Sequence, residues 1–170
     1  MINLKILNKK QIKEILNLIK KQWESDIDLD YAFLQDKEGK IFIINKEFAE
    51  IDLSKLRINS MGLYIAQLMP DGIRLSIEGS QLVGPKAKKN VLELTEKQTK
   101  EWFRGNDLEI KTELKNYIIL KHNKDFLGCG KIKHEKIAEQ FFVSQKYKVF
   151  QRENKILNYI PKNRRLKIND

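Results

Sequence analysis

A chain of 170 residues with 41% hydrophobic and 33% charged side chains has enough apolar surface to offset the entropy of ordering, which excludes a disordered chain and allows one domain or two. Its net charge of +10 is uneven: residues 1–78 hold 12 basic and 12 acidic side chains, so the whole excess falls in residues 79–170. The single cysteine, Cys129, excludes an internal disulfide and a multi-cysteine zinc site, and no window approaches the ~18 apolar residues of a membrane helix; a soluble protein of a reducing, cytoplasmic compartment is expected.

Asn8 is placed to cap a helix whose apolar stripe runs Ile12, Ile15, Leu16, Ile19, Trp23, at the spacing of one helical face. The stripe reads as a face packed on a sheet rather than on a membrane surface. Asp26, Asp28 and Asp30 alternate after it, but a calcium loop needs a glycine for its sharp turn and a terminal bidentate Glu, and neither follows at the required spacing. Residues 31–45 predict a hairpin turning at Lys37-Glu38-Gly39, and its second arm, Ile41 to Ile44, is continuously apolar and so is expected to be covered on both faces. Residues 46–60 form a short helical or irregular connection. A second hairpin joins residues 63–67 to 73–77 through Met69-Pro70-Asp71-Gly72, where proline presets one turn residue and glycine supplies positive φ. Its second arm alternates, with Ile73, Leu75 and Ile77 inward and Arg74, Ser76 and Glu78 outward.

Gly79 to Gly84, with Pro85 after it, punctuates the chain, and a boundary is placed there: residues 1–84 and residues 85–170. Leu82 and Val83 make this junction too apolar for free movement, so the two units are expected to pack together. Lys86, Lys88 and Lys89 precede a short strand, Val91 to Leu94. Thr95 with Gln98 three residues on forms a capping box for a helix ending at Arg104, and Gly105 suits the left-handed position beyond it. A helix this short needs Trp102 and Phe103 as anchors. Residues 117–121 and 126–133 predict strands joined at Asn123-Lys124-Asp125, the second interrupted by Gly128 and Gly130, as where a strand bends or another backbone comes close. Residues 134–150 suggest further strands, and residues 155–160 a last one leading into Lys162, Arg164 and Arg165.

The segments KNVLEL, LTEKQTKEWFRGNDLEI, YIILKHNKDFLGCGKIK and KILNYIPKNRRL resemble the PUA-type domain at the C-terminus of the Sun-family RNA cytosine-5 methyltransferases. GKIFIINKEF, MGLYIAQ and GIRLSIEGSQLVG resemble the pre-PUA domain that precedes a PUA domain in archaeal and eukaryotic assembly factors of the large ribosomal subunit. Residues near 134–154 look like an insertion. The resemblance implies an α+β protein, a small α/β pre-PUA domain over residues 1–84 packed on a PUA-like RNA-binding β-pseudobarrel over residues 85–170. It also implies that the capped helix with its glycine stop and the barrel's final strand lie side by side and cradle RNA, with Arg104, Gly105 and Asn106 facing Lys162, Arg164 and Arg165.

It does not imply methyl transfer, which needs a Rossmann-like domain with a glycine-rich loop for the cofactor. No cofactor and no metal are expected, and Cys129, in Leu-Gly-Cys-Gly, reads as a small buried hydrophobe rather than a nucleophile served by His122 or His134. The expected RNA surface comprises Lys86, Lys88, Lys89, Arg104, Gly105, Asn106, Lys121, Lys131, Lys133, Lys162, Arg164 and Arg165. Basic side chains gain affinity from the counterions that phosphates release, and arginine forks grip phosphates at two points. Ribosomal or transfer RNA is the expected partner; an acidic membrane is a weaker candidate. The competing function is a protein–protein adaptor docking on a ribosomal protein or an RNA methyltransferase. Trp102 is expected in the core, with Tyr159 a candidate for base stacking.

Overall fold

The computed structural model describes residues 4–49, 62–134 and 154–167. The chain is α+β, with two five-stranded sheets, the second curled into a half-barrel. The first sheet, in the order β1-β2-β3-β4-β5, is built from β1 (Lys5–Ile6), β2 (Ala32–Gln35), β3 (Lys40–Ile44), β4 (Leu63–Met69) and β5 (Gly72–Leu75), all antiparallel. The second, in the order β6-β8-β9-β10-β7, contains β6 (Val91–Glu93), β7 (Leu108–Glu109), β8 (Tyr117–His122), β9 (Asp125–His134) and β10 (Asn154–Leu157). Among the described strands only β6 and β8 run parallel.

Helix α1 (Lys9–Trp23) starts in the predicted capping box: Asn8 Oδ1 accepts from the Gln11 amide at 3.0 Å, and Gln11 Oε1 accepts from the Asn8 amide at 3.1 Å. Ile15, Ile19 and Trp23 of its stripe are buried against the first sheet, and Ile12 and Leu16 are packed at the margin. Gln22 covers the otherwise open edge of β5. Its amide donates to Ile73 O at 2.8 Å and accepts from the Ile73 amide at 2.9 Å, as a neighbouring strand would. A short helix, α2 (Lys46–Ala49), follows β3; the rest of the predicted 46–60 connection and the strands suggested within 134–150 fall almost wholly outside the described residues.

Three expectations are corrected. The arm predicted to reach Ile77 stops at Leu75, because Ser76 becomes the N-cap of α3 (Ile77–Val83), its Oγ accepting from the Gly79 amide at 2.9 Å. The stretch read as punctuation is therefore a helix. The arm Ile41–Ile44 is not covered on both faces: Ile41 and Ile43 are buried, whereas Phe42 and Ile44 are only half-buried. The last strand ends at Leu157, so Lys162, Arg164 and Arg165 lie beyond it, the first two in a 3-10 turn (Lys162–Arg164) that Pro161 opens and the third at its end.

Strand β8 explains how the two sheets hold together. Its first four residues are all buried, but alternate side chains enter different cores. Tyr117 and Ile119 join Trp23, Ile65, Ile73, Val83 and Cys129, while Ile118 and Leu120 join Trp102, Leu108, Leu127, Ile132 and Ile156. The junction is tight, as its apolar sequence predicted: Val83 is buried, Ser25 Oγ donates to Val83 O at 2.9 Å, and the Phe126 ring lies where a side chain at Gly84 would project. At Gly130 a Cβ would run into Ile156 Cγ2 and meet Leu157 O at 3.2 Å, so glycine lets β10 pack closely on β9 there.

Candidate nucleic-acid interface

Helix α4 (Glu96–Arg104) is built as its sequence predicts. Thr95 and Gln98 form the capping box, and Gly105, at φ +88°, closes the helix with its amide donating to Trp102 O at 3.0 Å. Trp102 is wholly buried, and its Nε1 donates to Leu127 O at 3.0 Å. This one side chain fixes the height of the helix end over the half-barrel, leaving Arg104 and Asn106 exposed.

The chain's last described segment closes against that end. Asn158 is the staple: its Nδ2 donates to Trp102 O at 2.7 Å and Asn106 O at 2.9 Å, its Oδ1 accepts from the Ile160 amide at 2.8 Å, and its amide donates to Asp107 Oδ1 at 2.8 Å. The Leu166 amide donates to Phe103 O at 2.8 Å, and Arg165 lies across Gly105, with its Cζ 2.5 Å from where a Cβ would stand. Arg104, Gly105, Asn106 and Arg165 are thus brought together, with Lys162 and Arg164 in the adjoining turn.

Their partners sort them. Lys162 is exposed and makes no ion pair among the described residues. Arg104 pairs with Glu101 at 2.6 Å, and Asn106 donates to the same carboxylate at 2.6 Å; these two bonds, Asn106 first, hold the Glu101 carboxyl below its usual range. Arg164 pairs with Glu78 of α3. Arg165 donates from Nε to Ile160 O at 3.0 Å, so part of its fork is already used in holding the turn.

The remaining predicted bases lie elsewhere. The amides of Lys88 and Lys89 donate to Trp23 O at 2.9 and 3.2 Å, which ties the lysine loop to the end of α1 and leaves the side chains of Lys86, Lys88 and Lys89 exposed. Lys131 pairs at 2.6 Å with Asp71 of the β4–β5 turn and lies over the Tyr117 ring. The hydrogen bond from Lys131 lowers the Asp71 pKa and raises its own, so both groups hold their charge at neutral pH. Lys121 pairs with Glu93 at 3.0 Å, and Lys133 is exposed on β9 opposite Lys155. Among the described residues no hydrogen bond or ion pair joins the lysine loop to the α4 end.

Cys129 is buried, and burial pushes its thiol up to about 12, far from the thiolate a nucleophile requires. The native protein is expected to resist iodoacetamide near neutral pH and to react fully once unfolded in urea, as followed by mass spectrometry; rapid labelling of the native state would restore a nucleophile reading. Among the described residues no group of three or more His, Cys, Asp and Glu is placed to hold a metal ion, and no helix is long and apolar enough to cross a membrane. Sequence reasoning missed Asn158, for which no composition or motif signal exists, and Arg74, read only as an outward residue of an alternating strand.

A curled mixed sheet with a capped helix closed by glycine, sealed by the chain's last segment, defines a PUA-type pseudobarrel. Residues 89–139 match the family model of the methyltransferase RsmF PUA domain, so this part of the chain is similar to the PUA-type domain of the Sun-family methyltransferases. Over 136 residues the chain is 26% identical to a ribosomal RNA small subunit methyltransferase F of Vibrio parahaemolyticus, a match covering 73% of this chain and 27% of the relative. Over 129 residues it is 24% identical to the enzyme of the same name from Erwinia tasmaniensis, covering 74% and 26% respectively. The chain thus spans about a quarter of the length of the curated relatives it matches.

Proposed function

We propose that this chain is an RNA-binding module without a catalytic site of its own, acting on ribosomal or transfer RNA in RNA modification or ribosome assembly. The reading rests on the juxtaposition of Arg104, Gly105 and Asn106 with Lys162 and Arg165, on the half of the chain that holds the whole excess of positive charge. Gly105 lets Arg165 pack across the helix end, and the exposed cations gathered around it form a surface that suits a phosphodiester backbone. Support for the RNA class comes from the match to the PUA domain of a ribosomal RNA methyltransferase family. On this reading residues 1–84 form a pre-PUA unit and residues 85–170 the PUA unit, with Lys86, Lys88 and Lys89 as an outlying rim and Lys121, Lys131 and Lys133 as lesser contacts. Arg165 acts as much by holding the turn as by contacting phosphate.

Binding of the purified chain to a ribosomal RNA fragment, followed by fluorescence anisotropy, is expected to weaken steeply as salt rises, the logarithm of the affinity falling by about 0.7–0.9 for each phosphate contact per tenfold in salt. Binding insensitive to salt would defeat the proposal. A stable complex with a ribosomal protein or a methyltransferase that survives nuclease treatment, with no RNA affinity of its own, would favour the adaptor.

A further inference from the structure

A cleft of about 500 Å³ lies on the other side of the closing segment, between the first sheet and residues 159–164. That volume falls in the range of small-ligand pockets. Its walls include Lys40, Phe42, Tyr64 and Arg74 from the first sheet and Tyr159 and Arg164 from the closing segment. Two observations distinguish it from an ordinary groove. Arg74 is half-buried and has no carboxylate partner among the described residues; its Nη2 donates to the neutral Gln67 Oε1 at 2.6 Å. Desolvating an unneutralised cation is costly, and the cost is offset when an anion occupies the site. The second is the concentration of aromatic rings: the Arg74 guanidinium stacks 4.3 Å from the centre of the ring of Tyr159, an exposed residue, and Phe42 and Tyr64 pair at 5.5 Å on the wall. Phe42 belongs to the strand expected to be covered on both faces, and its incomplete covering is what opens this wall.

We infer that this cleft is a second nucleic-acid subsite that takes one unpaired nucleotide of a single strand, its base stacked on the free part of the Tyr159 ring and its phosphate on Arg74. The inference rests on the RNA-binding reading above and extends it to a different face. Rings flanking an arginine suit a base joined to a phosphate, because every base offers a π-face while the guanidinium offers its charge and its remaining N–H groups. An acidic peptide would use the arginine and leave the rings without a role. A duplex keeps its bases stacked inside and cannot reach the pocket. The closing segment carries Tyr159 and Arg164 on the cleft and Arg165 on the α4 end, so one strand can run from one site to the other.

The test compares the full chain with its Tyr159→Leu, Tyr159→Phe and Arg74→Gln variants, using labelled oligoadenylate and an RNA duplex of equal length in anisotropy. Tyr159→Leu and Arg74→Gln are each expected to weaken oligoadenylate binding about tenfold and to leave the duplex unaffected, with Tyr159→Phe binding as wild type. Thermal melts verify folding, and should Tyr159→Leu fail to fold, Arg74→Gln decides. Wild-type affinity for oligoadenylate in Arg74→Gln and Tyr159→Leu, beside a loss in a variant of the α4 end, would overturn the subsite and leave the RNA-binding reading standing. Equal competition by an oligoglutamate peptide of the same charge would also overturn it. No binding of either RNA by the wild type would overturn both readings.

Discussion

Gly79→Ala is expected to cost about 3–5 kcal/mol of folding stability, the upper range for a change of one methyl group. The position does not need glycine for its torsion angles, since it sits inside α3. It needs glycine because α3 crosses β4 at contact. A Cβ there would lie well inside the van der Waals surface of Ile65 O, 2.9 Å from Ile65 C and 3.3 Å from Ile65 Cα. All three are backbone atoms of β4, where Ile65 sits at the bulge between Tyr64 and Ala66, both of which pair with β3, so no side chain can rotate away to relieve the clash. Ile65 O also accepts from the Ser76 amide at 2.9 Å, and pushing α3 outward breaks that bond and disturbs the Ser76 cap. Urea denaturation reads the loss as a lower midpoint at unchanged slope. Gly39→Ala is the control: its φ of +79° imposes strain, but its nearest neighbour is Leu68 O at 3.2 Å, and a cost of about 1–2 kcal/mol is expected. A Gly79→Ala loss no larger than this would mean that α3 can shift without penalty.

How much could be read from the chain follows from how local each signal was. Both capping boxes, at Asn8 and Thr95, the Gly105 stop and the hairpin turn before Gly72 involve residues three or four apart, and the structure carries all of them. Helix α3 was missed because Ser76 continues a strand-like alternation by chance and because Gly79 and Ser80 are weak helix formers. Gly79 is required by its close approach to Ile65 of β4, which sequence spacing does not express. Strands β1 and β7 are two residues long and leave no periodic trace. For the candidate site, the pairing of the α4 end with the end of the chain was legible through the family resemblance, whereas the sorting of the bases depends on partners distant in sequence. Lys131 finds Asp71 and Arg164 finds Glu78 only after folding. Of the bases expected at the site, Lys121, Lys131, Arg104 and Arg164 carry carboxylate partners in the fold, which the sequence order does not express.

The double variant Arg104→Ala, Lys162→Ala is the sharpest probe of the bases at the α4 end, and RNA affinity at moderate salt is expected to fall roughly ten- to a hundredfold. Neither side chain is needed for folding. Lys162 is exposed and unpaired among the described residues, and Arg104 makes a surface pair with Glu101, a type of contact worth at most about 1 kcal/mol. Arg165 is the poorer choice, because its bond to Ile160 O and its packing over Gly105 mean that its removal loosens the turn as well. The salt dependence separates charge from shape: two lost phosphate contacts reduce the slope by about 0.7–0.9 each, whereas a misplaced turn lowers affinity at every salt concentration and leaves the slope nearly as it was. Lys88→Ala, Lys89→Ala serves as the comparison, since those side chains sit on the rim beside α1. If the lysine rim variant lost more affinity and more slope than the Arg104, Lys162 variant, RNA would run along the junction of the two sheets, and the α4 end would be a structural seam.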